Sequence, residues 1–262
     1  MATASANLNV MIKAARKASR TLLRDFNEVE NLQVSLKGPG DFVSNADKAA
    51  EATIRSMLMD ARPNYGWLGE ESDAVEGKDP TRRWIVDPID GTTNFLHGLP
   101  HFAISIGLEH RGEIVAGVVY DPVKDEMFTA EKGAGAWLND RRLRVSARRE
   151  LSGMLFATGV PYGAKETLSQ MLRDLAALMP RTAGVRRLGS AALDLAYVAA
   201  GRYDGFWERE LNPWDMAGGM ILVREAGGLV SALGGGNPAQ TGAILATNSE
   251  VHDILAKLLA DA

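Results

Sequence analysis

The chain has 262 residues, 46% of them hydrophobic and 24% charged, with a net charge of −4. That is enough apolar chain for one large α/β domain or two small ones. The mild negative balance gives no global reason to bind nucleic acid or an anionic membrane, and the absence of cysteine excludes disulfides, thiol nucleophiles and thiolate metal sites.

The opening stretch, MATASANLNVMIKAARKASR, lacks the continuous apolar core of a signal peptide. No later segment approaches the ~18 apolar residues of a membrane span. A cytoplasmic protein is the expectation. Leu8, Ile12, Ala15, Leu22, Leu23 and Phe26 recur at helical spacing and predict an amphipathic helix over about 7–28. After the breakers of LKGPGDFVSN, the run ADKAAEATIRSMLMDA predicts a second helix, closed by Pro63. NYGWLGEESDAVEGKDP reads as a loop leading to a short strand, WIVD.

From Phe102 to about Val145 the period changes to two, with HRG and PVKD as turns, so an antiparallel meander is expected. The remainder alternates. ETLSQMLRDLAALMP and SAALDLAYVAAG read as helices, YDGFWE as a strand and NPWDMAGGMILVREAGG as a helix ending at glycines. GLVSALGGGNPAQTG reads as a loop, GAILATN as a strand and SEVHDILAKLLAD as the terminal helix. Paired helices around mostly antiparallel strands imply a layered α+β or α/β fold.

Three segments carry acids where chemistry is plausible. In WIVDPIDGTTNF, Asp87 ends an apolar strand, Pro88 stiffens the turn to Asp90, and Gly91 lets backbone approach a ligand. The stretch reads either as a surface turn or as a half-buried metal site beside a place for an anion; two buried acids need a counter-charge, and hard cations take oxygen ligands. In NPWDMAGG, Asn212 is placed as an N-cap, Pro213 at the first helical position and Asp215 in the first turn. Asp215 is then either a metal ligand or an acid that complements the helix dipole. In GEES, Glu70 and Glu71 are a candidate ligand pair or a solvated acidic loop. An aspartyl-phosphate mechanism of the haloacid-dehalogenase type is excluded, because no carboxylate stands two residues ahead of Asp90.

GEES, WIVDPIDGTTNF and NPWDMAGG, in this order, resemble the inositol monophosphatases, within the wider group of Mg²⁺-dependent, lithium-sensitive sugar phosphatases. DFVSNAD, GVVYDP, LGSAALDLAYVAAGRYDGFWE and ILATN extend the resemblance over nearly the whole chain. It implies the alternating αβαβα sandwich of the inositol monophosphatase and fructose-1,6-bisphosphatase type. Residues 1–262 would form one catalytic domain, with a metal and phosphate half over about 1–145 and a substrate half over about 146–262.

Carried over residue by residue, the resemblance implies two to three Mg²⁺ ions. Glu70, Asp87 and the Ile89 carbonyl would hold the first; Asp87, Asp90 and Asp215 the second; Glu70 would support a weaker third. Gly91 and Thr92 would contact phosphate, Asp47 would hydrogen-bond Thr92, and Asp41 would begin a segment nearby. Thr92 and Glu70 would orient the attacking water, with Asp215 also on the substrate side. Glu208 would meet substrate hydroxyls, with Gly189 and Ala191 lining the same pocket. Two ions ~3.5–4 Å apart can stabilise both the attacking and the leaving oxygen of a phosphate ester. The histidines, four in all, fall outside every motif and are expected at the surface or behind the site.

Within that wider group, Thr93-Asn94 after DGT resembles the inositol monophosphatase branch rather than the nucleotide 3′-phosphatases, which implies a small phosphorylated polyol, inositol 1-phosphate first. Histidinol phosphate, glycerol 2-phosphate, fructose 1,6-bisphosphate and adenosine 3′,5′-bisphosphate stay open as alternatives. The resemblance also implies a homodimer. The basic runs at 141–150 and 181–189 leave a second class open, an RNA-associated partner of the transcription machinery, against a solvated rim that attracts anionic substrate.

Overall fold

The computed structural model describes residues 4–28, 34–38, 41–160 and 165–262, with 34–38, 41–44 and 165–166 described as backbone only. The side chain of Asp41 therefore lies outside the described residues. The chain runs α1 (Ala6–Phe26), β1 (Val34–Gly38), β2 (Asp41–Ser44), α2 (Asn45–Ala61), β3 (Gly66–Gly69), β4 (Arg82–Asp90) and α3 (Thr92–Leu96). The meander follows as β5 (Ala103–His110), β6 (Glu113–Asp121), β7 (Glu126–Glu131), β8 (Gly135–Leu138) and β9 (Arg141–Arg142). Then come β10 (Leu155–Thr158), α4 (Lys165–Leu178), β11 (Gly184–Arg186), α5 (Ala191–Ala199), β12 (Gly205–Glu208) and α6 (Pro213–Glu225). β13 (Leu229–Ser231), α7 (Pro238–Thr241), β14 (Ile244–Thr247) and α8 (His252–Ala260) complete it.

Beyond the β1–β2 ribbon, the strands form a seven-stranded sheet, in spatial order β3-β4-β5-β6-β7-β8-β9, and a five-stranded sheet, β11-β10-β12-β14-β13. Three apolar clusters define the layers. The first joins α1 and α2 to one face of the larger sheet through Met11, Leu22, Ile54, Leu58, Trp84 and Ile106. The second puts α5 and α6 between the two sheets, and the third covers the outer face of the smaller sheet with Leu178, Leu255 and Leu259 of α4 and α8. The order is helix, sheet, helix, sheet, helix, the alternating αβαβα sandwich expected from the resemblance.

Local chemistry explains most elements. Ser5 caps α1, its Oγ accepting from the Leu8 amide at 3.1 Å. α1 buries Leu8, Met11, Ala15, Ala18 and Leu22 along one stripe, at the spacing of a helix face. The central helix α6 lies unusually close to its neighbours. A Cβ on Gly117 would stand 2.4 Å from Ile221 Cγ2, and one on Gly219 would stand 2.4 Å from Leu195 Cβ. Small residues on strand and helix thus bring the α6 N-terminus down to the strand ends, where the acids gather.

Two loop readings need correction. NYGWLGEES contains β3, paired in parallel with β4 from Gly66↔Arg83 to Gly69↔Val86, with Trp67 buried. GLVSALGGGNPAQTG contains β13 and the short α7. Both segments are rich in glycine and turn formers; pairing with a neighbour distant in sequence, not local propensity, makes the strands. The short strand WIVD is the middle of β4, which begins at Arg82 and continues through Pro88 to Asp90.

Candidate active site

The bulge in β4 is the local device that builds the site. Asp87 pairs with Ser105 and Asp90 with Ala103, so β4 advances three residues while β5 advances two. In a regular strand, residues three apart point to opposite faces; the extra residue around Pro88 and Ile89 restores both acids to one side. Proline fits because a bulge leaves it no ladder bond to lose. The Ile89 amide turns back to donate to Asp87 Oδ1 at 2.9 Å. Gly91 then takes φ 102°, a left-handed conformation that starts α3 and that a larger side chain would strain.

Glu70, Asp87, Ile89, Asp90, Gly91, Thr92, Gly189, Ala191, Glu208 and Asp215 all line one cavity of about 350 Å³ between the ends of the two sheets. Asp47 does not line it. It lies fully buried in the first turn of α2, close enough for its charge to act on Asp87. The Thr92 hydroxyl donates to the Ile89 carbonyl at 2.9 Å, so its single proton does not go to Asp47, contrary to expectation. None of the histidines lines the cavity.

Asp90 and Asp215 each combine the mundane reading with the chemical one. Asp90 Oδ2 accepts from the Ser190 hydroxyl at 2.5 Å and the Ala192 amide at 2.7 Å, which places it at the N-terminus of α5. Asp215 Oδ2 accepts from the Asn212 amide at 2.7 Å at the start of α6. Each acid thus complements a helix dipole while facing the cavity. With these bonds made, no three histidine or acidic side chains among the described residues converge closely enough to hold one ion as they stand.

The electrostatics favour a positive charge among these acids. Burial, then the charges of Glu70, Asp90, Asp215 and Asp47, pushes the Asp87 carboxyl well above the usual range. Burial, then Asp90, does the same to Asp215, against the Asn212 amide. Burial pushes Asp90 up to about 6, opposed by the Ser190 and α5 donors. The opposite wall has its own raised acid: burial, then Asp90, pushes Glu208 up to about 8, with the Arg187 guanidinium opposing. A set of buried acids that raise one another is the arrangement a cation relieves.

Several residues escaped sequence reading. Asn94 Nδ2 donates to the His101 and Leu188 carbonyls, both at 2.8 Å, and so ties α3 to the far wall. Glu51 of α2 holds the GEES segment by accepting from the Glu71 amide at 2.8 Å. Gly159 and Arg187 line the cavity, and Asp194 lies 1% exposed on α5 with Oδ1 unbonded. Ser190 carried a signal, a serine just ahead of a helical run; Asn94 and Arg187 stand in runs singled out above, but nothing local pointed to their partners, which are distant in sequence.

The model of the inositol monophosphatase family matches residues 5–262. The chain is 57% identical to an inositol-1-monophosphatase of Rhizobium meliloti, over 97% of this chain and 96% of that protein. It is 48% identical to the Nus factor SuhB of Escherichia coli K12, over 93% and 92% of the two chains. The crystal structure of the extragenic suppressor protein suhB from Bartonella henselae superposes with a TM-score of 0.94 at 55% identity, covering 97% of this chain and 98% of that one. With a match of this extent and an acid-walled cavity between two sheets, the chain belongs to the inositol monophosphatase family, a generally metal-dependent group, and is a phosphatase.

Proposed function

We propose that the protein hydrolyses the phosphate monoester of a polyol, inositol 1-phosphate first, with Mg²⁺ as cofactor. The observation that carries this reading is the cavity itself, which Glu70, Asp87, Asp90 and Asp215 line together with Glu208. The donor set is all oxygen and the acids are driven up by burial and by each other, which fits a hard divalent cation. Glu70, Asp87 and the Ile89 carbonyl would hold one ion, Asp87, Asp90 and Asp215 a second, and Glu70 a weaker third. Bound there, Mg²⁺ supplies Lewis acidity, lowering the pKa of water and neutralising charge on the phosphate and the departing oxygen.

The chain's own groups do the rest. Gly91 and Thr92 offer backbone N–H donors to the phosphate at the bulge, where Gly91 allows close approach. Thr92, with its hydroxyl released from Ile89, and Glu70 orient the water for in-line attack. Asp47 acts from behind, through its charge on Asp87. Burial and the Asp90 charge push the Glu208 carboxyl up to about 8, and a carboxyl group can accept from adjacent hydroxyls and, when protonated, donate to them, which suits a polyol. Gly189 and Ala191 shape the wall beside it. Both sheets serve this one cavity, so residues 1–262 act as one catalytic domain.

The protein is proposed to be a cytoplasmic homodimer, with exposed Leu168, Leu172, Met179 and Leu188 as interface candidates, and sedimentation well above the 28.2 kDa of one chain is expected. No helix among the described residues is long and apolar enough to cross a membrane. The RNA-associated reading draws on the name of the Escherichia coli relative and on the basic runs. Within 141–150, Arg148 and Arg149 are paired with Asp204 and Glu250, so we favour a solvated rim.

A substrate panel tests the proposal. Turnover of inositol 1-phosphate in Mg²⁺ should exceed that of histidinol phosphate, glycerol 2-phosphate, fructose 1,6-bisphosphate and adenosine 3′,5′-bisphosphate. It should stop in excess EDTA and fall with Li⁺. A faster rate on histidinol phosphate would reassign the substrate, and full activity in EDTA would end the metal reading.

A further inference from the structure

β10 and β12 lie side by side in parallel, with Phe156↔Gly205, Ala157↔Phe206 and Thr158↔Trp207 in register. The Thr158 hydroxyl locks the end of this pair by donating to the Trp207 carbonyl at 2.7 Å. One step further along, Gly159 comes level with Glu208. A Cβ built on Gly159 would lie 1.8 Å from Glu208 Oε1, 2.0 Å from Cδ and 2.2 Å from Oε2, and these are its three nearest atoms. The Glu208 carboxyl group therefore rests on the bare Cα of Gly159, and both residues line the cavity.

Gly159 is not in the left-handed region, so its backbone does not require glycine. What requires it is the carboxyl group lying where a methyl would be. That group is the far end of a flexible side chain, so a small side chain at 159 moves Glu208 rather than the strands. Van der Waals contact between a carboxylate oxygen and a methyl needs well over 3 Å, so the shift is more than an ångström. A hydrogen bond to a substrate hydroxyl does not survive a displacement of that size.

We infer that Gly159 is a specificity-determining position of this phosphatase: its missing side chain seats the Glu208 carboxyl group at the depth where it reads the hydroxyls of a polyol leaving group. The inference rests on the polyol reading above. It assigns no part in the chemistry at phosphorus to Gly159, which follows β10 of the smaller sheet, whereas the β4 bulge belongs to the larger one.

The test compares kcat/KM for inositol 1-phosphate with kcat/KM for p-nitrophenyl phosphate, an ester with no hydroxyls to read, in the Mg²⁺-loaded protein. Gly159→Ala should lower the ratio about tenfold or more, the effect of losing one hydrogen bond to a charged or strongly polar partner. Glu208→Ala should lower it similarly, and the double variant should lose little more, because both changes remove one interaction. Equal losses on both substrates, an unchanged ratio, or losses that multiply in the double variant would each overturn the inference. Should Gly159→Ala fold poorly, Gly159→Ala with Glu208→Ala must restore folding, since the obstacle is then gone; a double variant that also fails overturns it. A wild type with no preference for the polyol ester sinks the polyol reading and this inference together. A wild-type preference that survives Gly159→Ala sinks this inference alone.

Discussion

The two walls of the cavity are made by opposite means. On one wall, Asp87, Ile89, Asp90, Gly91 and Thr92 fall within a single bulged strand end, and the chain needs only a proline and a glycine to aim them. On the other, Gly159, Arg187, Gly189 and Glu208 come from separate points of the second sheet and its connections, and only pairing of β10 with β12 puts Gly159 beneath Glu208. The first wall is a local motif that any cation-dependent phosphate chemistry can use. The second is a tertiary product, and it is where one leaving group can be told from another.

The largest separation of the two walls should come from Asp87→Asn. It removes the acid proposed to serve two ions, and kcat should fall by at least two to three orders of magnitude on every substrate alike, since charge stabilisation of this kind is worth ~3–4 kcal/mol or more. The rise in melting temperature with Mg²⁺ should also shrink, because a ligand at a hundredfold excess over Kd stabilises by about 2.7 kcal/mol. Asp215→Asn sharpens the point. The amide oxygen of Asn can still accept from the Asn212 amide, so stability should change by only about 0.3–1 kcal/mol while kcat falls by orders of magnitude. Near-normal kcat at saturating Mg²⁺ would leave Asp215 as a helix-capping acid and nothing more.

The pH dependence of the metal-free protein comes next. Asp87 and Asp215 sit well above the usual range, Asp90 near 6 and Glu208 near 8. Raised carboxyl pKa values mean that the native state keeps protons the unfolded chain releases above about pH 4. Stability is therefore full below that pH and is lost as pH rises through about 6 and then about 8. Melting temperature without metal should be lower at pH 8.5 than at pH 5, and Mg²⁺ should restore more at the higher pH. Glu208→Gln should remove the upper part of the loss without touching the Mg²⁺ increment. If it abolishes the increment, the two walls are not separate.

The smallest effect concerns the seam. Ser190→Ala takes the hydroxyl from Asp90 and the cap from α5, which should cost about 1–2 kcal/mol in denaturant unfolding. At saturating Mg²⁺ it should lower kcat much less than Asp215→Asn does, because the Asp90 carboxylate itself is kept. A fall in kcat as deep as that of Asp215→Asn would show that Ser190 belongs to the chemistry.

Legibility in the sequence follows the same division. α1, α2, the meander, α5, α6 and α8 were readable because their apolar period and end signals are local; so were the acids of β4 and Asp215, which sit in short runs of distinctive type. β3 and β13 were not, because glycine-rich segments become strands only through a neighbour's ladder. Asp47 is buried behind Asp87, and the Thr92 hydroxyl expected to bond it donates instead to the Ile89 carbonyl three residues away. Glu51 had no local signal at all, and Asn94 and Arg187, though they stand in runs singled out in the sequence, had none that named a partner.

By itself, the sequence determined the acids, the bulge chemistry of proline and glycine, and the helix starts at Ser190 and Asn212, because each depends on neighbours within a few positions. The tertiary structure decided what those acids face. Asp90 bonds α5 a hundred residues on, Asn94 joins α3 to Leu188, and Glu208 rests on Gly159. The physical reason is that the period of a helix or strand says which side of an element is apolar, while the close approach of one backbone to another side chain is set only when the layers pack.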